Sequence, residues 1–398
     1  MEYLVMSLSA LLLPIHGLHS VPALVFYASL ALLIYTYAGY PVLLAVIALF
    51  IRRKQVPLGY EPFLSILICA YNEQSGIRKK IQDTLNLNYS PEKMEILVVS
   101  DGSNDATESI VQSFSDPRVR LLRTSSRKGK TNAQNEGVPL CTGEVIVFSD
   151  ATTVYHPDAL RHLAANYLNP RVGAVSGRYE YFDERGTSPT GTGTITFWNY
   201  ENCIKQLQSQ IRTITGCCGC IYSVRKSAYT MLPADIISDL VQPLRAIQKG
   251  YRVVFEPRAL AYESTTETSK QEFRMRVRVI TRAMRGILNV RSLLNPFIYG
   301  WISFQLLSHK VLRWLAPFYL AGIFVASAAL IERPIFRLSF SLQAVFYLSA
   351  VFSLLIPLHR FWKLLGIPLY FCTLNAAAAV SLLELVRGRK YVVWETVR

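Results

Sequence analysis

From Tyr3 to Ile51 the chain carries no Asp, Glu, Lys or Arg, and Arg52, Arg53 and Lys54 follow at once. Roughly 20 apolar residues span a bilayer, so Val21 to Ile51 can cross with length to spare. The basic triplet marks a cytoplasmic end. A cleaved leader is the rival reading, but the run is too long for a leader's apolar core and Glu2 is a poor basic start. A retained anchor is expected, kinked near Gly39 and Pro41, with Tyr35, Tyr37 and Tyr40 toward one end or against a partner helix. Three further uncharged stretches, Trp314 to Ile331, Leu338 to Leu358 and Leu364 to Leu383, crowd the C-terminal part. Each is long enough to cross, the first only barely. Three crossings would leave Arg387, Arg389, Lys390 and Arg398 outside, against the positive-inside tendency. Either one stretch is re-entrant or interfacial, or the tendency is broken here.

The block between these stretches alternates in period. Phe63 to Ala70 (FLSILICA) is a continuous apolar run ending in turn residues, the pattern of a strand buried on both faces. A helical stretch from Ser75 to Leu87 follows, then a strand at Met94 to Ser100 (MEILVVS). Asp105 with Glu108 predicts a capping box opening a helix to Phe114. Val119 to Arg123 is a short third strand, and a helix after Lys130 leads to a fourth, Glu144 to Ser149 (EVIVFS). Such alternation predicts an α/β fold with a mostly parallel sheet and helices on both faces. The expected division is an anchor over 1–56, a cytoplasmic α/β domain over 57–295, interfacial and transmembrane helices over 296–386, and a basic tail over 387–398.

Composition sharpens this picture. Of 398 residues 51% are hydrophobic and 17% charged, a charged share well below the usual quarter of soluble domains. Forty-two Lys and Arg against 27 Asp and Glu leave a net charge of +15, which suits phosphates or acidic lipid head groups. Nucleic acid is not an expected partner, because many of the arginines flank apolar stretches instead of forming a basic patch with stacking aromatics. Six of the seven cysteines fall in the block assigned to the cytoplasm, where thiols stay reduced. Cys217-Cys218-Gly219-Cys220 lacks the paired spacing of a zinc site and reads as small-residue packing in a tight turn.

Polar clusters stand at the carboxyl ends of three of the strands. Tyr71-Asn72-Glu73 follows the first, Asp101-Gly102-Ser103 the second, and Asp150-Ala151-Thr152 the fourth. In open parallel sheets ligands bind along that edge. One Asp after a strand is most often a helix cap; three clusters in register point to a site. The absence of a Walker sequence, and of Gly-x-Gly-x-x-Gly after the first strand, disfavours ordinary ATPases and dinucleotide enzymes.

These residues carry a resemblance. Ala70-Tyr71-Asn72-Glu73, Val99-Ser100-Asp101-Gly102-Ser103, Gly129-Lys130 and Phe148-Ser149-Asp150-Ala151 resemble the ordered signatures of family-two glycosyltransferases with a GT-A fold. Ser238-Asp239, Pro243-Leu244-Arg245 and the run Gly250 to Pro257 (GYRVVFEP) are also similar to that family, and Trp394-Glu395-Thr396-Val397-Arg398 resembles the tail of its membrane-bound bacterial members. Together the motifs cover about residues 60 to 290. The processive version of this resemblance is to hyaluronan, chitin and poly-N-acetylglucosamine synthases.

The resemblance implies a nucleotide-sugar donor, most readily a UDP-sugar. Asp101 would accept hydrogen bonds from the base, with Tyr71, Asn72 and Glu73 beside the nucleoside. Lys130 would meet phosphate, although a solvated lysine at a helix start fits the sequence as well. Asp150 takes the first place of the metal-binding Asp-x-Asp pattern, where Thr152 stands in the third, so a divalent Mg or Mn would have one carboxylate and a weak hydroxyl. Asp239 matches the general base of inverting members, with Ser238 where a second acidic residue often stands; a helix cap is the alternative. Asp235 is expected to cap the following segment. Gly216, Cys217, Cys218 and Gly219 fall where the family shapes its acceptor pocket.

The Gln-x-x-Arg-Trp pattern of polymer-forming members aligns with Met275 to Val279, and of its named residues only Arg278 is retained. Arg274, Arg278, Arg282 and Arg285 share one helical face, and Val277, Ile280, Met284 and Ile287 form an apolar one. Either the arginines meet acidic lipids on an interfacial helix, or Arg278 reaches the leaving diphosphate. Asp183 to Thr196 reads as a mobile acceptor-side segment or a surface loop. The expectation is an inverting hexosyl- or N-acetylhexosaminyltransferase, multi-pass in the inner membrane, acting on a lipid-linked or glycan acceptor. A non-catalytic nucleotide-sugar sensor or scaffold is the alternative, supported by Thr152, Met275 and Val279.

Overall fold

The computed structural model describes residues 20–52, 56–182, 191–264, 269–355 and 366–393. Arg53, Lys54, residues 183–190 of the expected loop and the 394–398 tail motif lie outside the described residues. The anchor is one helix, α1 (Val21–Leu49). Tyr35–Gly39 form a single wide π turn just before Pro41, where proline lacks the N–H that a regular ladder needs. The tyrosines turn to protein partners: Tyr35 Oη is 2.7 Å from Ser308 Oγ, and Tyr40 Oη accepts from Gln208 Nε2 at 2.7 Å.

The central block follows its predicted alternation. In chain order it contains β1 (Leu64–Ala70), α2 (Ile77–Leu85), β2 (Met94–Ser100), α3 (Thr107–Gln112), β3 (Val119–Arg123), α4 (Lys130–Gly137), β4 (Val145–Asp150), β5 (Val154–Tyr155) and α5 (Ala159–Ala165). Then come β6 (Val172–Phe182), α6 (Gly191–Ile211), β7 (Ile221–Arg225), α7 (Ser238–Gln248), β8 (Arg252–Ser264) and α8 (Ser269–Asn289). The sheet order is β3-β2-β1-β4-β7-β6-β8-β5. Strands β3, β2, β1 and β4 are parallel, β6 and β8 are parallel, and β7 runs antiparallel between β4 and β6. The α/β sheet is thus mixed, with its parallel half formed by the four strands legible as apolar runs. Successive residues of those strands feed opposite faces: Ile66, Ile68, Val98 and Val147 enter one core, and Leu67, Val99, Ile146 and Phe148 the other. Full burial of each such side chain contributes about 1.5–3 kcal/mol.

Local expectations are corrected at several points. Asp105 accepts the Thr107 N–H at 2.9 Å, but Glu108 does not close a capping box. It accepts from Ser100 Oγ at 2.7 Å and pairs with Arg123 at 2.7 Å, because two charged or polar partners outcompete one backbone amide. Asp235 caps nothing; it receives Arg285 Nε at 3.1 Å. Residues 191–196 of the expected loop instead open α6.

After α8 come α9 (Trp301–Trp314), α10 (Ala316–Ala329), α11 (Pro334–Leu355) and α12 (Gly366–Val386). α1, α11 and α12 are long and apolar enough to cross a membrane, and the pair α9–α10, bent by 54°, adds a fourth candidate. α10 packs on the first half of α1, where a Cβ on Gly322 would stand 2.6 Å from Ser29 Oγ. Phe336 at the start of α11 meets Phe26 edge-on at 4.8 Å, and Gln343 Nε2 donates to the Leu320 carbonyl of α10 at 3.0 Å. α9 is tied to the α/β domain through Glu201 of α6, which pairs with Arg313, with Lys310 at 3.6 Å and with His309 at 3.3 Å. α12 lies along α8: Arg276 Nη2 donates to Tyr370 Oη at 2.8 Å, and Ser381 Oγ to the Val277 carbonyl at 3.0 Å.

Candidate active site

The turns after β1 and β2 are laced together. Asn72 has a left-handed φ of 53°, which asparagine tolerates because its side chain bonds locally. Its N–H donates to Ser103 Oγ at 3.1 Å, and its Oδ1 accepts the Asn104 N–H at 3.0 Å. The Glu73 N–H donates to Thr107 Oγ1 at 2.7 Å, and Glu73 itself is buried. Asp101, also buried, accepts the N–H groups of Lys128 at 2.8 Å and Gly129 at 2.7 Å. Arg127 of the same turn lies 3.7 Å over the Tyr71 ring. Thus Tyr71, Asn72, Glu73 and Asp101 gather at one edge and organise the turn that delivers Lys130. Gly129, with φ 87°, has the Val392 carbonyl so close that a Cβ there would stand 2.1 Å from it.

Lys130 opens α4 and crosses to β4. Its Nζ forms a largely buried ion pair with Asp150 and donates to the Gly219 carbonyl at 3.1 Å. Burial pulls this lysine's pKa down, but the Asp150 carboxylate outweighs it and holds the ammonium above its ordinary value. Lys80 supports the turn after β4 from below, donating to the Thr153 carbonyl at 2.6 Å; burial brings its pKa down to about 8.

Asp239 stands in the first turn of α7, and the turn from Gly216 to Gly219 closes over it. The Cys217 N–H donates to the Asp239 carbonyl at 2.8 Å. A Cβ on Gly219 would come within 2.5 Å of Asp239 Oδ2, so only glycine allows this approach. Asp239 Oδ1 is buried without a hydrogen-bond partner. Burial raises the Asp239 pKa above the ordinary carboxylate range, although the charges of Lys130, Arg282 and Lys205 oppose it. Ser238 is buried beside it. Cys218 receives Lys205 Nζ at 2.8 Å.

Two participants, Lys205 and Glu263, escape sequence reasoning, and a third, Arg282, is legible only as one arginine of a spaced series. Of the spaced series Arg274, Arg278, Arg282 and Arg285, Arg282 is the buried member, donating to Thr131 Oγ1 at 3.0 Å and to the Ile236 carbonyl at 2.8 Å. Burial lowers its pKa to about 10 while Asp239 pulls it up. Arg278 is half-buried on the same helix, near enough for its charge to act on Arg282. Arg282 and Arg285 therefore face the catalytic domain, while Arg274 is exposed. Lys205 comes from α6, a helix the sequence pattern does not announce. Glu263, at the end of β8, accepts from Thr152 Oγ1 at 2.8 Å and from Tyr179 Oη. Its pKa is raised by burial and by the nearby Asp150 charge. No local motif marks Glu263; the regular helical spacing of the arginines places Arg282 on their shared face but does not single it out.

Asp150, Thr152 and Glu263 offer oxygen ligands alone, which suits a hard divalent cation that displaces the Lys130 ammonium from Asp150 and takes its remaining ligands from phosphate and water.

Residues 65–231 match the family model described as glycosyl transferase family 2. The chain is 31% identical over 222 residues to a poly-beta-1,6-N-acetyl-D-glucosamine synthase of Staphylococcus epidermidis, covering 54% of this chain and 53% of that one. It is 30% identical over 235 residues to the probable glycosyltransferase YdaM of Bacillus subtilis, covering 54% of each. The chain thus spans about half the length of the curated relatives it matches. Its fold is similar to that of a Pyrobaculum calidifontis mannosyltransferase solved with GDP-Man and Mn2+, with a TM-score of 0.68 and 20% identity over 92% of this chain and all of that one. Residues 65–231 thus form a glycosyl transferase family 2 domain, on a sheet of GT-A fold.

Proposed function

We propose that this protein is an inverting glycosyltransferase that moves a hexosyl or N-acetylhexosaminyl unit from a UDP-sugar to a lipid-linked or glycan acceptor at the cytoplasmic face of the inner membrane. The observation that carries this reading is the meeting of Lys130, Asp150 and Asp239 around Gly219. Tyr71, Asn72, Glu73 and Asp101 border the nucleoside, and Asp101 holds the turn that aims Lys130. Asp239 Oδ1, buried and unpartnered, takes the proton of the acceptor hydroxyl. That oxygen then bonds to C1 of the sugar as the C1–O bond to the diphosphate breaks. Lys130 receives the charge that develops on the leaving diphosphate, and Arg278 of α8 would add a second positive charge there. A divalent Mg or Mn held by Asp150 would neutralise the same diphosphate. Gly216 to Gly219 and Ser238 border the acceptor side. Burial makes Asp239 a stronger base than an exposed aspartate once ionised.

The membrane reading follows from helix contacts. α10 and α11 run antiparallel beside α1 and serve as two C-terminal crossings. α12 packs on the charged helix α8 and ends where Arg285 donates to the Arg389 carbonyl at 3.2 Å, so it lies at the interface beneath the domain. An even crossing number returns Arg387, Arg389 and Lys390 to the cytoplasm, in keeping with the positive-inside tendency. The domain division at 56, 295 and 386 stands as part of this proposal. Lipid contact by α1, α10 and α11 makes a membrane-embedded acceptor accessible to Asp239.

The test is radiolabel transfer from a panel of UDP-sugars, with and without Mn or Mg, in membranes carrying the wild type or Asp239→Asn. Transfer that requires Asp239 is expected, and product length separates single addition from polymerisation. Donor binding without transfer in native lipids would overturn the reading in favour of a sensor.

A further inference from the structure

Thr152 leaves the Asp-x-Asp pattern one carboxylate short, and the fold brings another to the same place. β5 pairs antiparallel with β8, Val154 opposite Tyr262 and Tyr155 opposite Ala261. Carrying that register one step further sets Glu263 beside Thr153, next to the turn that holds Asp150 and Thr152. Thr152 Oγ1 donates to Glu263 Oε1 at 2.8 Å, and Tyr179 Oη donates to Oε2, so both carboxylate oxygens are oriented. The Glu263 charge is within electrostatic reach of Asp150 and of Lys130. We infer that Glu263 supplies the second carboxylate of the divalent-cation site on the donor diphosphate, with Thr152 as the hydroxyl that positions it. This deepens the transferase reading and rests on it.

The chemistry suits the ligand. A hard dication prefers oxygen ligands and tolerates several from phosphate and water, so two carboxylates suffice beside a nucleoside diphosphate. The substitution at position 152 then relocates a ligand instead of deleting it. Thr152 cannot replace a carboxylate as a charged ligand, but its hydroxyl fixes one from β8. Lys80, which donates to the Thr153 carbonyl at 2.6 Å, braces the turn from the other side.

The test uses the full chain in detergent and reads Mn2+ binding in the presence of UDP by electron paramagnetic resonance, with UDP binding without metal as the check on folding. Glu263→Gln is expected to weaken Mn2+ binding by at least the ten- to hundredfold that an outer-shell partner already costs, with metal-free UDP binding retained. Thr152→Asp added to Glu263→Gln restores the Asp-x-Asp pattern and is expected to recover the affinity. Wild-type Mn2+ affinity in Glu263→Gln overturns the proposal, and so does failure of the wild type to bind Mn2+ with UDP. If Glu263→Gln loses metal-free UDP binding, the double variant decides: recovery of both affinities upholds the assignment, and recovery of neither overturns it. Sugar transfer by the wild type in the same preparation separates loss of this assignment from loss of the transferase reading.

Discussion

A Cβ on residue 219 would stand 2.5 Å from the Asp239 Oδ2, so Gly219 and Asp239 meet at a distance that only a hydrogen on the Cα permits. The same glycine offers its carbonyl to Lys130. One residue thereby sets the spacing between the candidate base and the cation on the donor side. Gly219→Ala is expected to displace the Asp239 carboxylate and lower kcat by about a hundredfold, the cost of roughly 1 Å of misplacement. Metal-free UDP binding should change little, and steady-state transfer kinetics beside UDP titration check both. An unchanged kcat would mean that the carboxylate position is not critical.

Asp239→Asn is expected to reduce transfer by about 10²–10⁴-fold, the range of a general base. The wild-type pH profile carries a second sign. A base must be ionised, and burial raises the Asp239 pKa above 3.8. Activity should therefore rise with pH through a limb displaced upward from the ordinary aspartate value. A profile flat down to the exposed-carboxylate range would contradict the assignment.

Lys130 and Asp150 form a largely buried pair, with side chains 14% and 16% exposed. Removing one partner leaves the other charge uncompensated, at a cost of about 3–5 kcal/mol in buried pairs. Lys130→Met should therefore lower the melting temperature as well as transfer. Adding Asp150→Asn should recover stability while transfer stays lost. Thermal unfolding of the single and double variants separates the structural from the chemical share.

The C-terminal segment should share a side with the catalytic domain. A cysteine introduced at Lys390, in a chain freed of other reactive thiols, is expected to resist an impermeant reagent in intact cells. It should react in inverted vesicles, as should one placed at Glu92 on the catalytic domain. Labelling of residue 390 from outside would make α12 a true crossing.

The sequence by itself determined the parallel half of the sheet, because strands buried on both faces must be written as unbroken apolar runs. It also determined that Tyr71, Asp101 and Asp150 share an edge, since the carboxyl end of each parallel strand lies on the same side. Lys130 was legible as a residue, but its pairing with Asp150 was not, and the shared carbonyl of Gly219 was less so. Only the tertiary structure decided that Glu263 stands beside Thr152, over a hundred residues away in the chain, because strand register and not local pattern brings them together. It likewise set Arg282 against the carbonyls of Ala234 and Ile236 while Arg278 stays half-buried, a difference that an evenly spaced series of arginines does not show. α12 makes the same point for the membrane. Hydropathy measures how apolar a helix is, not whether lipid or α8 covers it, and that covering is a tertiary fact.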